Sequence, residues 1–304
     1  MYYLSPKFAG CIQKMASIFH KTRLAPTPSG YLHLGNALSF GITAAMAKKC
    51  GAKILLRIDD LDQARAESRY VGDIFDTLHF LEIPWDEGPR TEKEFSESYT
   101  QFHRLGRYND ALAQLAERKM VFACTCSRRE LLTRGPCLCR DKHISLNTKN
   151  TSWRLITGDK RDLVVKNYDG RQIHCFLPVE MHDFVVRKKD GYPAYQLASV
   201  IDDLFYGVDL VVRGEDLWPS TLAQQVLALA LGMGHFNNIA FLHHPLLIEP
   251  SGQKMSKSAG AASVKYLRES GKSKSDIWRL IGRLMGFKEN IEGWQQLSQL
   301  IPPG

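Results

Sequence analysis

Residues 21–58 read KTRLAPTPSGYLHLGNALSFGITAAMAKKCGAKILLRI, and the order of patterns inside them decides the fold. Lys21–Ala25 reads as a short strand that ends in a turn, Pro26-Thr27-Pro28-Ser29-Gly30. A helical pattern follows over Asn36–Lys49 and is closed by Gly51. Ala52–Ile58 is a largely apolar strand, as expected where both faces of a sheet are covered. Just downstream, Tyr70–Leu81 places apolar residues at i, i+4, i+5 and i+8, the spacing of a helix. Strand, helix, strand, helix in this order predicts a right-handed βαβ unit and a parallel α/β sheet.

The same pattern returns late in the chain. Asp209–Arg213 reads as a strand, Pro219–Leu231 as a helix and Ile239–His243 as a strand that stops before Pro245. Between the two α/β halves lie a polar-faced helix over about 99–119, a cysteine-rich stretch at 121–143, and three strands. These are Trp153–Ile156, Asp162–Tyr168 and Arg171–Phe176, the last two flanking an Asp169-Gly170 hairpin turn. The expected organisation is an N-terminal extension (1–20), a first half of the catalytic domain (21–95), and an insertion (96–185) carrying a metal module (121–143). A second half (186–250) and a lysine-containing loop with a helical tail (251–304) complete it.

Composition narrows the class. The chain has 304 residues, 44% hydrophobic and 24% charged, which suits a globular protein with a sizeable core. Its net charge of +8 is compatible with a polyanionic partner, because Lys and Arg neutralise phosphates. No apolar run approaches the roughly 20 residues that span a bilayer, and residues 1–20 lack the pattern of a cleaved signal. The expectation is a cytoplasmic protein with no membrane contact. Four of the 7 cysteines are bunched at Cys124, Cys126, Cys137 and Cys139, which in a reducing compartment favours metal over disulfides.

Two constellations carry phosphate chemistry. His33-Leu34-Gly35-Asn36 lies between a strand and a helix, where free backbone N–H groups and the positive end of the helix dipole face outward. Lys254-Met255-Ser256-Lys257-Ser258 lies in a Gly- and Ser-flanked loop, and its lysines at i and i+3 can place two charges on one triphosphate. The third constellation is Cys124-x-Cys126 with Cys137-x-Cys139, two pairs able to converge as a closed tetrahedral thiolate site for structural Zn²⁺.

Together the first two resemble the HIGH and KMSKS signatures of class I aminoacyl-tRNA synthetases. Lys254–Ser258 matches the second residue for residue; His33 and Gly35 match the first, with Leu34 and Asn36 looser. Arg23–Gly30, Leu56–Asp60, Trp85–Pro89 and Val212–Asp216 are similar to the glutamyl-specific branch. The resemblance covers essentially 21–290 and implies a Rossmann-like nucleotide-binding fold with a zinc-binding insertion and a C-terminal helical segment. It implies ATP and Mg²⁺ as well, with activation of L-glutamate as an adenylate. By family analogy, His33, Asn36 and the turn amides hold ATP, with Gly35 in the catalytic turn, and Lys257 with Lys254 neutralises the triphosphate. Glutamate is expected against Arg23, Ala25, Thr27, Asp59, Tyr195 and Arg213.

Two departures from the family stand out. Asp59 occupies a position where the family carries glutamate against the substrate's α-amino group, so the carboxylate reaches one methylene less. The relatives show C-x-C followed by Y-x-x-x-C; no tyrosine stands at that place here, which leaves Cys137 or His143 as the fourth ligand. The chain stops at 304, short of an anticodon-binding region, and so resembles the truncated glutamyl-queuosine tRNA(Asp) synthetase branch. That branch implies a queuosine-containing tRNA(Asp) partner and a monomer. Competing readings are a minimal glutamyl-tRNA synthetase charging the tRNA 3′ end, and a non-catalytic tRNA-binding paralog, against which His33, Lys254 and Lys257 argue. A nucleotidyltransferase acting on another carboxylate is opposed by Arg23, Tyr195 and Arg213.

Overall fold

The computed structural model describes residues 19–62, 65–135, 137–158, 162–247 and 263–299. Lys254 and Lys257, with the rest of the 254–258 motif, and residues 1–18 of the extension lie outside the described residues.

The chain opens with β1 (Lys21–Leu24), α1 (Leu34–Cys50), β2 (Lys53–Leu56) and α2 (Ser68–Phe80), the βαβα unit expected from the sequence. β1 and β2 pair in parallel, with Arg23 opposite Leu55. On the far side of β2, Glu87 makes a parallel bridge to Leu55. A single turn, α3 (Glu92–Glu94), and the longer α4 (Leu105–Glu117) then lead away from the sheet. β3 (Val121–Cys124), β4 (Ser152–Leu155) and β7 (Val185–Arg187) form a separate three-stranded sheet, and α5 (Arg128–Arg134) follows β3.

β5 (Asp162–Asn167) and β6 (Gln172–Phe176) form the hairpin expected around Asp169-Gly170. The hairpin does not stay with β3, β4 and β7. β5 joins β9 (Ala240–His244) in parallel, Lys166 opposite Ala240, because Leu163 and Val165 bury one face of the hairpin in the core. α6 (Tyr195–Phe205) leads into β8 (Leu210–Gly214), which pairs in parallel with β9, and α7 (Trp218–Ala230) connects the two.

β1 lies against β8: the Asp209 amide donates to the Lys21 carbonyl at 3.0 Å. The strand order therefore runs outward from β1 through β2 in one direction and from β1 through β8, β9 and β5 in the other. In a doubly wound sheet such a reversal opens a crevice at the carboxyl ends of the two central strands. Here those ends are Leu24, leading to Thr27, and Arg213-Gly214.

α1 is buried almost all round, from Leu34 and Leu38 to Met46, which explains why its sequence shows no polar stripe. Gly51 ends it in the left-handed conformation (φ 71°). On its outer side packs α9 (Lys274–Leu284), and α8 (Val264–Glu269) lies against α2 and α9. Trp278 of α9 is fully buried, and a Cβ at Gly41 would come within 2.6 Å of its ring, so glycine is what lets α1 approach the tail.

Candidate active site and cysteine centre

The His33 turn forms because its imidazole caps its own helix. His33 Nδ1 accepts from the Gly35 amide (3.0 Å), and the Asn36 side chain accepts in return from the His33 amide (3.1 Å). A Cβ at Gly35 would sit 2.9 Å from the ring, so the folded-back imidazole requires glycine two residues on. With Nδ1 accepting, the neutral ring carries its proton on Nε2, a donor at the helix N-terminus. The far end of the chain is fastened here too: Ser263 makes an antiparallel bridge to His33, and the Val264 amide donates to the Leu32 carbonyl (2.8 Å). Asp73 of α2 holds the Leu32 amide from the other side (3.0 Å).

Beneath the crevice is a buried ionic floor. Arg57 grips Asp59 with two hydrogen bonds (2.7 and 3.0 Å) and gives a third to Asp203 (2.7 Å). Arg23 shares the same Asp203 oxygen (3.3 Å) and donates to the Val212 carbonyl (3.3 Å). Arg104 clamps Asp202 (2.8 and 3.1 Å), which also accepts from Gln101 (3.0 Å) and Tyr108 (2.7 Å). All of these residues are buried. Burial opposes charge throughout, yet Arg57 and Arg104 hold the Asp202 carboxyl below its ordinary range. Three carboxylates outweigh the burial of Arg57 and push it well up. For Asp59, burial and the neighbouring Asp202 and Asp203 win over the Arg57 clamp, and its pKa is raised.

Arg213 is different. It is 4% exposed, donates to Thr221 and to Gln224 (3.0 Å), and its Nε has no partner among the described residues. No carboxylate among the described residues forms an ion pair with it. Burial and the nearby Arg23 take its pKa down to about 10, with Tyr195 and Asp203 supporting the charge. It remains a cation at neutral pH, desolvated and unmatched. Its neighbour His243 bonds Thr221 (2.8 Å) and stacks on Phe241; burial and Arg213 bring its pKa down to about 3, so the ring stays neutral.

A cleft of about 720 Å³ opens above this floor, lined by Thr27, Asp59, Gln101, Arg154 and Tyr195, with Cys126 on its far wall. Thr27 and Tyr195 are exposed, Ala25 half-buried at the end of β1, and Arg23 and Arg213 lie beneath. The fold thus brings Arg23, Ala25, Thr27, Asp59, Tyr195 and Arg213 to the carboxyl ends of the central strands, with Asp59 turned onto Arg57. Arg57, Gln101, Arg104, Asp202 and Asp203 are the residues that sequence reasoning passed over. The available signal was in α6: Leu197, Val200, Ile201 and Leu204 mark a helix with a buried face, and two adjacent carboxylates beside that face need distant cations.

The four cysteines converge. Sγ–Sγ distances are 3.4 Å for Cys124–Cys137, 3.9 Å for Cys126–Cys137 and 3.5 Å for Cys126–Cys139, and all four sulfurs lie within 4.8 Å of one another. Four thiolates at about 2.3 Å from one zinc stand about 3.8 Å apart, so the donor set fits a tetrahedral ion. His143, exposed and in the left-handed conformation (φ 48°), is not part of this group. Burial raises the Cys139 thiol, but the Thr125 backbone and the neighbouring thiols overcome it and bring Cys139 to about 6.

A doubly wound sheet with a helix-capping His-x-Gly turn at its switch point and a desolvated arginine in its crevice defines a nucleotide-binding α/β enzyme domain. The family described as tRNA synthetases class I (E and Q), catalytic domain, matches residues 20–151 and 142–300. The chain belongs to that family. It is 34% identical to the Glutamyl-Q tRNA(Asp) synthetase of Symbiobacterium thermophilum, over 92% of this chain and 90% of that protein. To the protein of the same name from Synechococcus sp. (strain CC9605) it is 37% identical, over 87% and 82%. Among solved structures, a glutamate tRNA ligase from Elizabethkingia meningosepticum superposes with a TM-score of 0.70 at 21% identity, over 92% of this chain and 64% of that one. The chain spans about half to two-thirds of the solved glutamate–tRNA synthetases it matches. No helix among the described residues is long and apolar enough to cross a membrane.

Proposed function

We propose that this chain activates L-glutamate with ATP and transfers the glutamyl group to the queuosine base in the anticodon of tRNA(Asp). The observation that carries the first half is Arg213: a buried guanidinium without a carboxylate partner among the described residues is costly unless a ligand supplies one. The side-chain carboxylate of glutamate supplies it, beside Arg23 and under Tyr195. Asp59 faces the α-amino group from the cleft wall, its shorter reach set by the Arg57 clamp. The α-carboxylate then attacks the α-phosphorus of ATP and pyrophosphate leaves. His33 Nε2–H and the first amides of α1 receive phosphate oxygens, and Asn36 fixes the turn that presents them. Lys254 and Lys257, the latter six positions before Ser263 in sequence, neutralise the triphosphate. Mg²⁺ supplies further charge on the phosphates. A hydroxyl of the acceptor nucleoside attacks the acyl carbon and AMP departs.

The second half rests on the name carried by relatives matched over most of their own length. Zn²⁺ in the four cysteines holds the far wall of the cleft in shape, and the protein works as a cytoplasmic monomer. Two measurements test the reading. ATP–pyrophosphate exchange with glutamate and Mg²⁺, without tRNA, is expected to proceed; its absence with every amino acid overturns activation. Nuclease mapping of the ester on tRNA(Asp) is expected to place glutamate in the anticodon fragment. Glutamate found at the 3′ terminus overturns the acceptor assignment.

A further inference from the structure

Among the described residues, the groups that touch Arg213 carry no negative charge. Thr221 and Gln224 stand one turn apart on α7 and accept from the same guanidinium nitrogen, Nη2. From β9, the Phe241 ring lies 5.1 Å from the guanidinium, and His243, kept neutral by its burial, bonds Thr221. Tyr195 of α6 supports the charge with its hydroxyl, and Arg23 of β1 opposes it. Asp203 acts only from a distance, because Arg57 and Arg23 already engage its carboxylate.

The revealing partner is Gln224. It is 1% exposed, and a guanidinium only donates, so the amide turns its Oε1 to Arg213 at 3.0 Å. That orientation leaves the Gln224 Nε2 in the interior without a partner among the described residues, which costs stability. A glutamate side chain at this position has the same length and nearly the same helix propensity. It would replace the unmatched NH2 group and neutralise Arg213 from within. The fold therefore gives no reason for the neutral amide, whereas a guanidinium kept open for a carboxylate from outside does. A substrate with an amide side chain leaves that buried charge unmatched and is rejected on the same ground.

We infer that Gln224 sets the choice of an acidic over an amide side chain: by accepting from Arg213 without charge, it keeps the guanidinium for the substrate's carboxylate. It is a positioning residue that acts through Arg213. The inference rests on the reading that the side-chain carboxylate of glutamate sits on Arg213. Gln224→Glu tests it in ATP–pyrophosphate exchange. The KM for glutamate rises about 100-fold while the KM for ATP stays within about twofold of the parent. With glutamine as competitor, the ratio of its Ki to the glutamate KM falls by about the same 100-fold factor. The thermal midpoint does not fall, because the new carboxylate pairs a buried cation. Gln224→Met removes the acceptor without adding charge, and it keeps the ratio within about threefold of the parent. Parent values of KM and ratio in Gln224→Glu overturn the inference. So does a Gln224→Met that loses the ratio as fully, or a parallel rise in the KM for ATP. If the parent itself activates no amino acid, the activation reading falls and thermal shift with saturating L-glutamate separates the two claims. A rise in midpoint for the parent and none for Gln224→Glu keeps the role of Gln224; equal shifts, or none in either, reject it.

Discussion

The floor of the crevice and the cysteine module are held together by opposite means. The floor lies between two large apolar clusters, and its ions satisfy one another: Arg57 with Asp59 and Asp203, Arg104 with Asp202. Among the described residues the module has a buried apolar cluster of only Phe122, Cys124 and Cys139, with Cys126, Cys137, Ile144 and Ile156 packed partly against it. A region with so little apolar area to bury gains its order from ligation or not at all. One region is stabilised by what the protein contains; the other has four sulfurs placed where a bound metal would supply the missing order.

The sharpest break in that contrast is Asp202→Asn. Removing one carboxylate strands Arg104 and Arg57 in the interior, and urea unfolding is expected to show a loss of about 3–5 kcal/mol. An unchanged midpoint would mean that the floor does not depend on its internal pairing. Next is Arg213→Leu, whose effect has the opposite sign on stability. The glutamate kcat/KM in pyrophosphate exchange falls by about 10²–10³-fold, while the thermal midpoint holds or rises, because an unmatched buried cation is gone. A large fall in the midpoint would show that Arg213 serves the fold.

The module is tested by Cys126→Ser or by chelation. Zinc content drops toward zero, and amide-exchange protection over 121–143 falls by about 10²-fold, with strands β1, β2, β8 and β9 unaffected. Equal loss of protection in both regions would erase the distinction. The smallest effect concerns His243. Its folded pKa is held at about 3, so below about 6.5 the unfolded chain takes up a proton that the folded chain refuses. Stability is expected to decline by about 1–2 kcal/mol from pH 6.5 to 5, a figure reduced for the ring's partial exposure. His243→Gln removes part of that slope; an identical slope in the variant would place the pH dependence elsewhere, His244 being the next candidate.

These regions also differ in how far the sequence disclosed them. The helix expected over 36–49 is α1, and the strands around Lys21, Ala52, Asp209 and Ile239 are β1, β2, β8 and β9, because local periodicity and turn residues set each. The two C-x-C pairs are local too, so their convergence could be read before it was seen. The ionic floor could not. Asp203 meets Arg23 and Arg57 from 180 and 146 residues away in sequence, and no spacing between them announces the contact. At His33 the tetrapeptide marked a strand-to-helix turn with a phosphate donor, and the structure adds that the same ring accepts from the Gly35 amide and so builds the helix start. The hairpin's attachment to β9 depends on which face it buries, which a pairwise reading of strands does not decide.

The bridge between His33 and Ser263 has a consequence for how the molecule comes into being. Residues near the two ends of the folded sequence must meet before the nucleotide turn is complete, and contacts of such high sequence separation form late. As the chain emerges from the ribosome, β1 and α1 are made first yet wait for almost everything else before their partner arrives. Half-made copies therefore carry the turn without its closing bridge, and a nascent chain can finish the centre only after residue 263 has been made.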